Sequence, residues 1–256
     1  MDDSAFRRLF DLTGRVAIVT GGTRGIGLAI AEGYVLAGAS VVVASRDADA
    51  CERAAHRLAA MGGTAIGVAT HLGDLDSVAN LVETTAARFS GIDIVVNNAA
   101  NPLAQELGAM TAAAFDKSMA VNLRGPVFLV QQALPYLERS THAAVLNVAS
   151  AGAFMFSPNI SIYSAAKAAL VSFTRSMAAA YADRGIRVNA LAPGAVDTRM
   201  VRNNPPEFIA GMENAALMRR LAGADEMVGP ALLLTSDAGS FITGQVLLAD
   251  GGLVAH

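Results

Sequence analysis

One cysteine in 256 residues, Cys51, has no partner within the chain. An intramolecular disulfide and a cysteine-rich metal site are both excluded, and such a composition suits a reducing compartment. Charge is sparse as well. Lys, Arg, Asp and Glu make up 16% of the residues, the net charge is −3, and no basic block occurs, so the electrostatic footprint of a nucleic-acid binder is missing. Hydrophobic residues reach 53%, more than in an average soluble domain, yet no stretch reads as a membrane span. The longest uncharged run, residues 143–166, carries Asn147, Ser150, Ser157, Pro158, Asn159 and Ser161, which hydrocarbon would leave unsatisfied. Residues 1–13 mix Asp2, Asp3, Arg7, Arg8 and Asp11 with isolated apolar residues and lack the apolar stretch of a secretory signal, so the expected location is the cytoplasm. His56, His142 and His256 stand in polar contexts without ligand spacing and are expected to be solvated, with no metal bound.

What is present is alternation. Short β-branched runs at 16–20, 40–44, 65–68, 92–96, 145–149, 187–191 and 246–248 are separated by Ala-rich helical stretches, the pattern of parallel βαβ units. The runs are continuously apolar, as expected where helices cover both faces of the sheet. The predicted fold is therefore α/β: one doubly wound domain over residues 1–256, with a mostly parallel seven-stranded sheet. Residues 197–226, with Pro205 and Pro206 among them, follow the sixth strand as an irregular stretch. A loop there would lie at the carboxyl ends of the strands, where ligands of open α/β sheets bind. Helical stretches at 111–137 and 161–182 are apolar over much of their circumference, which suggests burial on more than one side and hence a homo-oligomer, a dimer or tetramer.

Directly after the first strand comes TGGTRGIG at 20–27, opening a helix that continues through Leu28 and Ala31. Glycines there let the backbone turn tightly and approach a pyrophosphate, and the helix amino end adds free N–H groups and a positive dipole. Alone, the turn also fits an ordinary tight βα connection. The remaining marks follow in order: NNAA at 97–100 closing the fourth strand, Asn122 in a long helix, Ser150 ending the fifth strand, YSAAK at 163–167, and Pro193-Gly194 leading to Thr198.

With the spacing TGxxxGxG, this series resembles the short-chain dehydrogenase/reductase family in its short single-domain branch, over about residues 12–252. The resemblance implies a Rossmann-type dinucleotide-binding fold and a hydride transfer between a nicotinamide cofactor and an alcohol/carbonyl pair. It implies cofactor contacts at Gly21, Thr23, Arg24, Gly25, Ile26 and Gly27, and at Ser45 and Arg46 after the second strand. Further contacts are implied at His71 and Leu72, at Asn98, Ala99 and Ala100, and at Pro193, Gly194, Val196 and Thr198. Thr198 would bond the nicotinamide carboxamide or else cap a helix. Asn97 matches a position that supports the central sheet. His71-Leu72 stands where an Asp commonly contacts adenine, and it resembles the NADPH-linked carbonyl reductases of the peroxisomal type; the alternative is an exposed loop histidine.

Chemistry supports the catalytic set independently. Tyr163 and Lys167, four apart on a helix, project from the same face. An ammonium beside a phenol favours the phenolate, so Tyr163 is expected to have a lowered pKa and to serve as a general acid/base. Ser150 would donate a hydrogen bond to the substrate oxygen, and the resemblance gives Lys167 the nicotinamide ribose as well. The bland reading is a surface pair and a strand-end cap.

NAD-specific enzymes place Asp or Glu at the end of the second strand to bind the ribose 2′-hydroxyl. Here that position is Ser45, with Arg46 beside it and Arg24 in the glycine turn, two guanidiniums suited to a 2′-phosphate. NADP(H) is therefore expected. NAD(H) remains the alternative, with both arginines solvated and Asp47, the expected N-cap of the next helix, turned to the ribose.

Residues 151–156 with Met200 and Val201 would line an apolar pocket for a ketone, an aldehyde or the substrate of a 3-oxoacyl reductase. A catalytically idle dinucleotide-binding scaffold is the competing class, against which the complete Asn122, Ser150, Tyr163 and Lys167 set argues. A hydrolase would need a GxSxG elbow, which is absent. Finally, Pro126 has no N–H for the Asn122 carbonyl, so a kink is expected there. In the family that carbonyl holds a water linked to the lysine, and the resemblance extends this relay to Lys167.

Overall fold

The structure, a computed structural model, describes residues 2–156 and 158–254; His256 lies outside them. Seven strands, β1 (Val16–Thr20), β2 (Ser40–Ser45), β3 (Thr64–Ala69), β4 (Ile94–Asn97), β5 (Ala144–Val148), β6 (Arg187–Pro193) and β7 (Val246–Ala249), form one sheet in the order 3-2-1-4-5-6-7. Every pairing is parallel. The chain winds outward from β1 to β3, then crosses back to lay β4 against the other side of β1. At such a reversal neighbouring connections leave on opposite faces and a crevice opens above the strand ends.

After α1 (Asp3–Arg8), which precedes the first strand, helices supply the crossovers: α2 (Gly25–Leu36), α3 (Ala48–Ala60), α4 (Leu75–Phe89), α5 (Ala112–Met119), α6 (Gly125–Leu137), α7 (Ser161–Tyr181), α8 (Arg199–Arg202), α9 (Pro206–Ala215) and α10 (Val228–Thr235). Successive strand side chains point to opposite faces, so each central strand feeds two cores. Ala17, Val19, Val41, Val43 and Ile94 pack with Ile30 and Tyr34 of α2 and Leu234 of α10. Ile18, Val42, Val95, Val145 and Val188 pack instead with Leu81 of α4, Leu129 of α6 and Met177 of α7. Continuous apolar runs follow from this double burial.

Two expectations change. The helix read over 111–137 is divided: α5 ends at Met119, a π-turn spans Ala120–Arg124, and α6 begins at Gly125, whose N–H reaches back to the Ala120 carbonyl. Pro126 falls in the first turn of α6, where its missing N–H is tolerated, so the departure from α geometry is a widened turn instead of a proline bend. The irregular stretch at 197–226 contains α8 and α9, with Pro206 opening the latter. Among the described residues no helix is long and apolar enough to cross a membrane.

Candidate active site

The glycine turn links β1 to α2. Gly21 and Gly25 take φ of 66° and 54°, the left-handed region that favours glycine. Space also demands glycine at 21: a Cβ there would lie 2.8 Å from Asn98 Nδ2 and 2.9 Å from the Ala99 Cα. The turn is tied to the end of β4, across the reversal point, by two sets of bonds. Thr20 Oγ1 accepts the N–H groups of Asn98 and Ala99 at 3.0 and 3.1 Å, and Asn98 Nδ2 donates to the Thr20 carbonyl at 2.9 Å. At the start of α2, Arg24 occupies the N-cap without a side-chain capping bond, and the first turn holds no acidic residue. The first amides of the helix are thus left for an anion. Thr198 leans over them, its Cγ2 3.2 Å from where a Gly25 Cβ would sit. It stands at the N-cap of α8 but makes no side-chain capping bond, so its hydroxyl is not consumed by the helix.

Beyond β2, Ser45 Oγ donates to the Asp47 carbonyl at 3.3 Å and lies 3.3 Å from Cys51 Sγ. Asp47 accepts the Ala50 N–H at 3.0 Å and caps α3, which engages the carboxylate that the NAD(H) alternative needs. Arg24 and Arg46 are exposed, and neither guanidinium has a partner among the described residues. After β3, exposed His71 folds onto its own loop, its Nδ1 accepting the Gly73 N–H at 3.1 Å. Leu72 beside it is buried, with its carbonyl against Gly125 at the head of α6. After β6, the Gly194 N–H bonds the Ala249 carbonyl at 3.1 Å, and buried Val196 bridges to Ala222.

The candidate catalytic groups centre on β5 and α7. Ser150 lies two residues beyond the end of β5, where its Oγ accepts the Gly152 N–H at 3.1 Å and caps a short 3-10 turn. A hydroxyl offers one proton and two lone pairs, and Ser150 lies close enough to Tyr163 to favour its phenolate. Lys167 is 1% exposed. Its Nζ donates to the Val148 carbonyl at 2.6 Å and sits 5.7 Å from the centre of the Tyr163 ring. Burial, with no carboxylate to offset it, pulls the ammonium from 10.5 down to about 8.

Here an expectation reverses. Burial pushes the Tyr163 phenol up from 10.0, and nearby Ser150 opposes that without overcoming it. Lys167, its charge held on a carbonyl and itself disfavoured by the dry surroundings, does not offset that burial.

Asn122 is buried in the π-turn, which packs against α7. Its side chain clamps the segment after β4: Oδ1 accepts the Asn101 N–H at 2.8 Å, and Nδ2 donates to the Asn101 carbonyl at 2.9 Å and to Ser118 Oγ at 3.0 Å. Ser150, Tyr163 and Lys167 therefore converge, with the π-turn alongside. Sequence reasoning passed over Asn147 and Thr174, which join Asn97 in a buried polar chain. The available signal was a second asparagine interrupting an apolar strand. Exposed His56 and His142 face Glu52 at 3.7 Å and Asp237 at 3.3 Å.

Comparison with known proteins adds sequence-wide and fold-wide likeness. A family profile described as Enoyl-(Acyl carrier protein) reductase matches residues 21–254. The short-chain dehydrogenase/reductase SDRA of Arabidopsis thaliana is 37% identical over 245 residues, covering 94% of this chain and 95% of its own. A short-chain type dehydrogenase/reductase from Mycobacterium marinum superposes with a TM-score of 0.93 at 31% identity, covering 97% of this chain and 98% of the other. A Pseudomonas aeruginosa RhlG/NADP active-site complex gives 0.90 at 34% identity, covering 96% and 98%.

Proposed function

Because the chain belongs to the short-chain dehydrogenase/reductase family, we propose that it moves a hydride between NADP(H), in preference to NAD(H), and an apolar alcohol/carbonyl pair, with Tyr163 as general acid/base. Membership makes it an NAD(P)-dependent oxidoreductase; the cofactor preference, the substrate and the residue roles are our reading. The observation that carries it is the buried Lys167 ammonium, 5.7 Å from the centre of the Tyr163 ring and bonded to the Val148 carbonyl two residues before Ser150.

The chain suits a dinucleotide: the glycine turn leaves no room for a Cβ at Gly21, and the first amides of α2 are uncapped. Gly21, Thr23, Gly25, Ile26 and Gly27 would hold the pyrophosphate. Asn98, Ala99, Ala100, His71 and Leu72 would hold the adenosine side, and Pro193, Gly194, Val196, Thr198 and Lys167 the nicotinamide side. When bound, the cofactor supplies or accepts the hydride. Ser45 in place of a carboxylate, flanked by Arg46, whose guanidinium has no partner among the described residues, and with Arg24 in the turn, favours a 2′-phosphate, and the solved RhlG neighbour is an NADP complex.

In the reductive direction the Tyr163 phenol, protonated at neutral pH, donates its proton to the substrate oxygen. Ser150 donates a hydrogen bond to the same oxygen. Lys167 stabilises the phenolate left behind, and an ammonium near 8 can exchange its proton close to neutral pH. The Asn122 carbonyl in the π-turn is our candidate to hold the water that returns protons from solvent.

Exposed Phe154, Met155 and Met200 after β5 and β6 favour an apolar ketone, aldehyde or 3-oxoacyl compound. Exposed Phe115 and Phe173 on the packed helices α5 and α7 favour a homo-oligomer, and we assign the protein to the cytoplasm. The test is a turnover panel of such substrates with NADPH and NADH. Reduction that prefers NADPH supports the proposal. Cofactor binding without turnover on any member would favour an idle scaffold, and equal or better kcat/KM with NADH would overturn the cofactor assignment.

A further inference from the structure

The buried residues of α7 include Ala166, Leu170, Val171 and Ala178, small or aliphatic side chains that by themselves would allow a helix to slide or roll on its sheet. Against this smooth face stands one buried polar chain. Thr174 Oγ1 donates to the Leu170 carbonyl at 2.8 Å, which uses its only proton. The hydroxyl can then only accept, and it accepts Asn147 Nδ2 at 2.9 Å. This orients the Asn147 amide, so that its Oδ1 faces Asn97 and takes the Asn97 Nδ2 proton at 2.9 Å. Asn97 Nδ2 also donates to the Pro126 carbonyl in the first turn of α6, at 3.3 Å. Donor and acceptor directions are thus set along the whole chain, from α7 through β5 and β4 to α6. All three side chains are buried, and the bonds they make are directional there, while Asn97 Oδ1 has no partner among the described residues.

The arrangement meets the candidate active site at one place. Asn147 is the strand residue immediately before Val148, whose carbonyl receives the Lys167 ammonium, and Thr174 lies about two helical turns beyond Lys167 on α7. Consecutive residues of β5 therefore hold α7 twice, once by Thr174 and once by Lys167. We propose that Thr174 is a positioning residue that acts through Asn147 and Asn97 to fix the register of α7 on β5, and thereby sets the Lys167 ammonium on the Val148 carbonyl beside Tyr163. The assignment rests on the catalytic reading above. Charged groups on elements packed against α7 are Asp116 and Lys117 of α5, Arg124 of the π-turn, Asp183, Arg184 and Arg187. None of them, nor Arg175 of α7 itself, contributes to the lowering of Lys167, whose cause is burial. The titration of Lys167 accordingly reports how tightly α7 is seated.

The chain has two lysines, Lys117 and Lys167, so lysine labelled with ¹³C at Cε gives two resonances, and Lys117→Arg assigns them. In Thr174→Val the acceptor is lost at nearly constant shape. In Thr174→Ala a water can satisfy Asn147 without tethering the helix, which keeps the test available if the valine variant does not fold. Both substitutions should raise the Lys167 pKa toward 10.5 by about one unit as the ammonium gains water, and should lower kcat about tenfold with cofactor KM little changed. Thr174→Ser, which retains the hydroxyl, should restore both values. A Lys167 titration unmoved in the folded valine or alanine variant would overturn the proposal and leave Thr174 a plain packing residue. A wild-type protein without turnover would instead sink the catalytic reading, while the lysine titration would still decide whether Thr174 seats α7.

Discussion

Lys167 is a charged group in a dry place, and its removal makes a stability experiment with a determined sign. The ammonium titrates at about 8 in the folded chain against 10.5 when solvated. Below about 8 both folded and unfolded chains carry the proton, and the folded state bears the whole desolvation cost. Between about 8 and 10.5 the unfolded chain binds one proton more than the folded one, so unfolding free energy rises with pH through that window. At about 1.36 kcal/mol per unit, the displacement amounts to about 3 kcal/mol. Lys167→Met fills similar volume without the charge and loses the bond to Val148, a change of about 1.5–3 kcal/mol that shifts the variant by a nearly constant offset. The expectation concerns the slope: wild-type stability minus variant stability should increase by about 3 kcal/mol from about pH 7 to about pH 10.5. Urea unfolding of both proteins at several pH values across the window measures this directly, since every other titrating group cancels in the difference. Parallel stability profiles, or a difference that falls with pH, would refute the reasoning and show that the ammonium is hydrated.

Further outcomes follow from the same site. Tyr163→Phe should leave cofactor binding near normal, by fluorescence titration, and reduce turnover by a factor on the order of 10²–10⁴, the usual contribution of a general acid; near-normal turnover would remove Tyr163 from the mechanism. Arg46→Ala should weaken NADP(H) selectively, with KM for NADPH rising at least several-fold and that for NADH unchanged, because a guanidinium near a phosphate forms charge-assisted bonds that a 2′-hydroxyl does not need. Equal effects on both cofactors would count against a 2′-phosphate site at this position.

The doubly wound sheet was legible because burial on both faces writes itself into composition: β1 runs Val16–Thr20 both in the pattern and in the structure. Strand ends drifted by a residue or two where flanking residues are also apolar, as at Ala144 and Ala249. The π-turn at Ala120–Arg124 left no mark, since one extra residue in a turn barely disturbs a helical hydrophobic period. Candidate site positions such as Tyr163 and Lys167 could be picked out by spacing alone, but their titration could not. Spacing names the neighbour of a phenol and says nothing of the water around it, and here the dryness outweighed the neighbour. The Asn147–Thr174 contact joins residues 27 apart on different elements, a pairing that no local pattern encodes.

The reversal between β1 and β4 also divides the molecule by inheritance. The groups proposed to face the phosphates arise from β1, β2 and their turns, whereas Ser150, Tyr163 and Lys167 arise from β5 and α7, and the two halves are stitched at Thr20, Asn98 and Ala99. A lineage could therefore rewrite the segments after β5 and β6, trading one carbonyl compound for another, while the cofactor half stayed as it was. The seam, and not either half, is the part that such a lineage could least afford to change.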